Sequence, residues 1–435
     1  MSALREATTL LRPRAQELLS GSLAESANED AEARAWALLV ELVEDENRHR
    51  ALSGTSAFSP EERAEVAQTL FDMFFRLGPL QPYLDDEDIE EVVVNAPDRG
   101  FVVRAGGDKD PIDPGLGSED EVRALLGRVV ARAGRRIDES SPAVDVRLPD
   151  GARLHAIVPP LARRTALTIR RHRMVAEDLD DLVRLGTLGA EPATFLKGAV
   201  EGGINMLVSG GTASGKTTTL NALGRAIPTN ERVVTIEETA ELRLEEMLGD
   251  CVALEARAAN IEGLGHVSIR ELVRHALRMR PTRIIVGEVR GPEALDMLSA
   301  MNTGHEGSMG TIHANSARQA LSKLRTYVLM AEEQLTAEVA SEMIAETVDL
   351  VVHLQLDQRA GGRRVVQIAE VAGLEAGRVL TNDLFRMEDS HLVRTGVRPR
   401  FAERLSEGAV VVPLEPAAPR RRSRSERGNR FTGTS

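Results

Sequence analysis

Gly210, Gly211, Thr212, Ala213, Ser214, Gly215, Lys216 and Thr217 satisfy the spacing G-x-x-x-x-G-K-[ST], directly after the apolar run Ile204-Asn205-Met206-Leu207-Val208. Tetrahedral phosphates need many donors at close range. A glycine loop that opens a helix brings backbone N–H groups and the positive helix end towards an anion with no side chain in the way. Lys216 is placed to reach the β- and γ-phosphates of ATP, the Thr217 hydroxyl to ligate Mg2+, and Thr218 to complete the nucleotide-binding run. A chance glycine turn is the alternative, and the strand before and helix after weigh against it.

Phosphoryl transfer to water also needs a group that orients the attacking water and positive charge on the leaving oxygens. Ile284-Ile285-Val286-Gly287-Glu288 is an apolar strand ending in an acid, so Glu288 is expected to polarise water or hold the Mg2+ shell; a surface glutamate at a strand end is the plainer reading. Glu237, Glu238 and Glu241 follow another strand-like run. Carboxylates this close repel one another unless a cation or arginines offset them, and at least one, with Glu237 the metal candidate, is expected to face Mg2+ through water. His305 and His313 bracket a glycine-rich run that ends in a strand. Imidazole can donate to a γ-phosphate and lose that contact after hydrolysis, which suits a sensor, while the spacing fits no standard zinc pattern.

These groups need a scaffold. From about residue 190, apolar strands near 204–209, 232–237, 283–287 and 309–313 alternate with amphipathic helices, which predicts a mostly parallel α/β sheet with helices on both faces and ligands beyond the carboxyl ends of its strands. Upstream, strands near 92–94, 101–103, 144–148, 153–158 and 166–170, with a helix near 119–133, predict a smaller mixed α/β domain over 58–172. Ser59-Pro60-Glu61-Glu62 reads as a capping box opening a helix that buries Val66, Leu70, Phe71, Phe74 and Phe75. Residues 1–57 read as an acidic helical segment, 173–188 as a polar linker, 189–412 as the phosphate-loop domain and 413–435 as a disordered basic tail. Arg420-Arg421-Arg422-Ser423-Arg424 in that tail is a solvated charge run or a contact for acidic lipid or nucleic acid.

Composition sets outer limits. With 435 residues and 42% hydrophobic content, two or three packed domains are expected. No apolar run approaches the roughly 18–20 residues needed to span a bilayer, and the start lacks a signal-peptide core, so the protein is expected in the cytoplasm. A net charge of −13 argues against wholesale coating of nucleic acid but allows a local basic groove. The single cysteine, Cys251, excludes an intrachain disulfide framework and a four-cysteine zinc module, leaving core packing as its expected role.

The ordered motifs GGTASGKTTTLNAL, TIEETAEL, RPTRIIVGEVRGPEALDML and NTGHEGSMGTIHANS resemble those of the ATPases that drive type II and type IV secretion machines and type IV pili. Within that superfamily the chain most resembles the CpaF/TadA group of tight-adherence, Flp-type pili, through LGPLQPYLDDEDIEEVVVNAPDR, VRLPDGARLHAIVPPL with LTIRRHR, and LEARAANIEGLGHVSIRELVRHALRMRP, over about residues 65–405. The resemblance implies a RecA-like phosphate-loop domain and a homo-hexameric ring with nucleotide between its amino-terminal and RecA-like domains. It further implies polytopic inner-membrane platform partners and a place at the inner face of the cell membrane. It places Glu237, Glu238 and Glu241 in the acidic "Asp box", Glu288 in Walker B, and His305 and His313 in the "His box". It implies that Arg153, Arg170 and Arg171 approach the phosphates from the first domain, and that Arg257, Arg270 and Arg278 form the arginine-rich segment before Walker B; a solvated or structural ion pair is the alternative for each. Glu238 stands where that group usually has aspartate, and the absence of further cysteines separates the chain from type II ATPases carrying a tetracysteine metal module.

The expected function is a Mg2+-dependent, hexameric ATP-hydrolysing motor acting on a pilus or secretion platform, with nucleic acid an unlikely cargo. A conjugation or DNA-uptake ATPase, and a nucleotide-binding scaffold with negligible turnover, are the competing readings.

Overall fold

The computed structural model describes residues 2–20, 29–105, 107–171, 175–257, 259, 264–357, 362–389 and 391–407; the basic tail expected from 413 lies outside them. The chain forms two compact units, 1–173 with 259–264, and 174–258 with 265–435.

In the first unit, helices α1 (Ser2–Leu19), α2 (Glu29–Ser53) and α3 (Pro60–Phe75) pack together. α3 starts as its sequence predicts: the Glu62 N–H donates to the Ser59 hydroxyl at 3.2 Å and the Ser59 N–H donates to the Glu62 carboxylate at 2.7 Å. Its stripe of Val66, Leu70, Phe71, Phe74 and Phe75 is buried, but in a cluster with Leu11 of α1 and Leu39 and Leu42 of α2. This helix, expected to open the small α/β domain, therefore completes the helical segment before it. The reason lies in α1 and α2: Ala7, Leu11 and Ala15, then Ala35, Leu39 and Leu42, recur at helical spacing and need an apolar partner.

Helix α4 (Gln81–Asp85) leads into strands β1 (Ile89–Ala96), β2 (Arg99–Arg104) and β3 (Lys109–Ile112), helix α5 (Glu119–Arg132), and strands β4 (Ala143–Arg147), β5 (Arg153–Ile157) and β6 (Ala166–Arg170). The sheet order is β3-β2-β1-β6-β5-β4, with every pair antiparallel. Alternate residues Val92, Val94, Leu154, Ala156, Leu167 and Ile169 bury one face in a cluster with Val122, Leu125, Leu126 and Val130 of α5.

The second unit begins with α6 (Leu179–Arg184), α7 (Ala190–Glu201), β7 (Met206–Gly210), α8 (Lys216–Gly224), β8 (Val233–Glu237), α9 (Leu244–Met247) and β9 (Cys251–Glu255). It continues through α10 (Ile269–Ala276), β10 (Arg283–Val289), α11 (Glu293–Met301), β11 (Met309–His313), α12 (Ala317–Leu329), α13 (Ala337–Thr347) and β12 (Leu350–Asp357). It ends with β13 (Gly362–Glu375), β14 (Arg378–Glu388), β15 (His391–Arg394) and α14 (Ala402–Glu407). The sheet order is β15-β14-β13-β12-β7-β11-β10-β8-β9. From β12 to β9 all neighbours are parallel, with one apolar cluster holding α7 and α8 residues and another holding α10 to α13 residues. This is the expected mostly parallel α/β sheet with helices on both faces.

Two features depart from the sequence reading. The segment 173–188, expected as a linker, carries α6, and Leu179, Leu182 and Leu188 are buried in the core of the second unit. Its acidic residues mask them: Asp178 caps α6 by accepting the Asp181 N–H at 2.9 Å, so the charges mark a helix start. The antiparallel arm from β12 through β15 is the other, because hairpins need no helix between strands and so leave no strand–helix alternation in the sequence.

A buried ion pair fastens the amino-terminal end of β10. The guanidinium of Arg283, 1% exposed, donates to both Glu231 oxygens at 2.5 Å and to the Val200 carbonyl at 2.6 Å. Arg283→Ala strands the Glu231 carboxylate and that carbonyl. We expect a loss of about 3–5 kcal/mol, read in thermal melting as a fall on the order of 10 °C. The double change Arg283→Met, Glu231→Leu should recover much of it. Unchanged melting in the single variant would show that the pair contributes nothing.

Candidate functional site

The phosphate loop joins the carboxyl end of β7 to the start of α8. Gly215 has φ +91, a left-handed conformation that a Cβ disfavours, and it forms the amino-terminal boundary of α8, where no side chain caps the helix. The hydroxyl of Ser214 and the ammonium of Lys216 both donate to the Gly211 carbonyl at 2.9 Å. Gly210 and Gly211 stand at the base of the loop, Thr212 and Ala213 lead over its top, and Thr217 and Thr218 lie in the first turn of α8. Uncapped helix N–H groups behind a glycine turn suit an anion, so the residues fit a nucleotide phosphate.

Parallel pairing brings the other strand ends alongside. His313 pairs with Gly210 across β11 and β7, and Glu288 lies near the end of β10 on the far side of β11. Just past the strand, Arg290 donates to Glu288 at 2.7 Å and to Glu238 at 3.1 Å, tying the two acidic elements together. Burial pushes the Glu288 carboxyl up, but the Arg290 hydrogen bond and the charges of Arg290, Lys216 and His313 outweigh it and hold it below the ordinary range. His313 moves down, first through burial and then through the Lys216 charge, with Glu288 opposing, so its imidazole is neutral at neutral pH. Lys323 of α12 donates to the His313 carbonyl at 2.8 Å and fixes the strand end.

Several expected residues stand elsewhere. Glu237, expected as a metal ligand, is 5% exposed, and its carboxylate accepts the N–H groups of Glu241 at 3.1 Å and Leu242 at 3.2 Å. A Cβ on Gly287 would lie 2.7 Å from the Glu237 Cγ, so the glycine of β10 makes room for this inward turn. Glu237 thus folds the segment that presents Glu238, exposed, and Glu241, half-buried. His305 and His313 are separated by the length of β11: His305 precedes it and its Nδ1 contacts the Ala300 carbonyl at 3.0 Å, at the end of the sheet opposite the phosphate loop. Only His313 joins the loop.

The arginines divide as well. Arg270 is held by Asp296 at 2.6 Å and by Glu333, an arrangement that fixes α10 to α11 rather than presenting a free cation. Arg278 follows α10 and precedes β10, at the amino-terminal end of that strand and away from the loop. Arg257 forms a backbone bridge with Val267. In the first unit, Arg153 stands opposite Arg170 across β5 and β6, Arg170 reaches Glu91 at 3.7 Å, and Arg171 donates to the Asp86 carbonyl at 2.7 Å. Arg147, which the motif reading passed over, is paired with Arg153 and lengthens this basic row.

Arg290 is the main residue missed. Its signal was its place two residues after Glu288, since side chains at i and i+2 of an extended strand share a face. Cys251 is half-buried on edge strand β9, where burial pushes its thiol up to about 11 and leaves it protonated and packed.

Residues 76–375 match the family model described as type II/IV secretion system protein. The chain belongs to this family. The match runs from just after α3 to the end of β13 and takes in both sheets except for β14 and β15. A Mycobacterium tuberculosis protein named for conjugal transfer is 40% identical over 309 residues, covering 69% of this chain and 86% of that one. The type IV secretion system protein PtlH of Bordetella pertussis is 35% identical over 335 residues, covering 69% of this chain and 96% of its own length. Among solved structures, the VirB11 ATPase of the Brucella suis type IV secretion system, in complex with sulphate, is 30% identical over 68% of this chain and 97% of that one, with a TM-score of 0.36. In this chain the phosphate loop, Glu288 and His313 share one end of one sheet. Among the described residues no helix is long and apolar enough to cross a membrane.

Proposed function

We propose that this family member is a Mg2+-dependent ATPase, working as a hexameric ring that converts hydrolysis into work on a membrane-embedded secretion or pilus-assembly platform. The observation that carries this reading is the convergence of the Lys216 loop and the Arg290-bridged Glu288 at the carboxyl end of one parallel sheet. The loop N–H groups and Lys216 bind the substrate phosphates, and the Thr217 hydroxyl would hold Mg2+, which supplies charge neutralisation on the phosphate oxygens. Glu288, kept ionised by Arg290, accepts a proton from the attacking water. Neutral His313 donates a hydrogen bond towards the γ-phosphate side of the loop. Arg153, Arg170 and Arg171 are assigned to supply positive charge during phosphoryl transfer.

The cargo in this reading is a pilin of the Flp type or a secreted protein. A second reading, conjugal DNA transfer, draws support from the name of the Mycobacterium relative. It requires binding of DNA through a basic segment such as Arg420–Arg430, with affinity falling steeply as salt rises. In purified protein, ATPase activity per protomer should climb with concentration as light scattering reports hexamer formation. An assembled ring that binds ATP and leaves it intact would favour a scaffold, and constant activity from a monomer would remove the ring.

A further inference from the structure

The apex of the phosphate loop is held from outside the loop. Ala213 has φ +58, in the left-handed region, although it carries a Cβ that disfavours this conformation. The loop's internal bonds, from Ser214 and Lys216, both end on Gly211. The carbonyl of Ala213 is instead taken by Arg363 of β13, whose Nε donates to it at 3.0 Å across 150 residues of sequence. The stem of Arg363 backs the same turn: its Cδ lies 3.3 Å from where a Cβ on Gly215 would stand, beside Leu354 of β12 at 3.9 Å. Arg363 pairs with Leu356 across the β12–β13 hairpin, so a regular ladder sets its position.

We propose that Arg363 is a positioning residue of the nucleotide site, and that the antiparallel arm is thereby a working part of that site. The inference rests on the ATP reading above. The C=O of Ala213 and the N–H of Ser214 share one peptide plane, and in a trans peptide they point in opposite directions. A carbonyl held towards β13 therefore directs the Ser214 N–H away from β13 and into the turn of the loop, before any nucleotide arrives. Preorganisation of this kind appears as affinity, because the ordering cost is met in advance of binding.

The test compares two substitutions of similar size in the full chain. Arg363→Met keeps the stem and removes the donor. Arg363→Gln loses the charge but keeps an N–H donor at the position of Nε. Binding of a fluorescent ATP analogue and steady-state kinetics are measured for each, with thermal melting to verify folding. Arg363→Met should raise Kd and KM about tenfold, the scale of one hydrogen bond from a charged donor, while kcat stays within about twofold. Arg363→Gln should recover Kd to within about threefold of wild type. Unchanged Kd in the methionine variant overturns the inference, as does a loss confined to kcat. A glutamine variant as weak as the methionine one also overturns it, because the arginine would then act by charge on the phosphates. Wild-type protein that binds no ATP analogue overturns the ATP reading itself and this inference with it, a result distinct from all the others.

Discussion

Lys216→Ala should lose detectable ATP binding and cut turnover by about 10³-fold or more, on the order of 4 kcal/mol of transition-state stabilisation. The physical basis is the development of charge on the transferred phosphate. Lys216 opens α8 with its ammonium turned back to the Gly211 carbonyl at 2.9 Å, so the cation stays within the loop with no search to make when phosphates enter. Loss of the lysine removes that charge and the bond that fastens the base of the loop. Isothermal titration with ATP and a phosphate-release assay measure the two effects, and circular dichroism verifies that the sheet has formed. Wild-type turnover in the variant would remove the assignment of this loop to phosphate binding.

Glu288→Gln should separate binding from chemistry. The amide has nearly the shape of the acid, so ATP affinity is expected to stay within about threefold, yet it cannot accept a proton, and turnover should fall by about 10²–10³-fold, the usual scale of a lost general base. The surroundings sharpen this expectation. Arg290 holds Glu288 at 2.7 Å and, with Lys216 and His313, keeps the carboxylate ionised against the opposing effect of burial. The amide keeps an oxygen that can accept from Arg290 but loses the charge, leaving Glu238, at 3.1 Å, as the carboxylate bonded to Arg290. Retention of both ATP binding and full turnover would place the base elsewhere, with Glu238 and Glu241 the next residues to replace.

Local rules were enough for much of this protein. The phosphate loop was legible because its chemistry is local: glycines, a lysine and a hydroxyl must follow one another within eight residues for backbone and side chain to surround one anion. The α3 capping box was legible for the same reason, since both of its hydrogen bonds close within four residues. The parallel strands of the second unit announced themselves as fully buried apolar runs between amphipathic helices.

What needed the tertiary structure were the choices between residues of equal local merit. Glu237 and Glu238 are neighbours of the same type, yet the space above Gly287 draws Glu237 inward to backbone N–H groups and leaves Glu238 to Arg290. His305 and His313 lie close in sequence, but an intervening strand rises about 3.3 Å per residue and sends them to opposite ends of the sheet. Arg270 and Arg363 look alike in a chain with 54 basic side chains, and only long-range packing commits one to Asp296 and Glu333 and the other to the loop apex at Ala213. By itself, then, the sequence determined the glycine-lysine loop, the strands and helices that carry it and the family the chain belongs to, because those signals are written in short periods and short spacings. Which acids, histidines and arginines serve that site was decided by the tertiary structure, because a charge is stabilised by whatever group the fold places within a few ångströms of it, however far away in the chain that group begins.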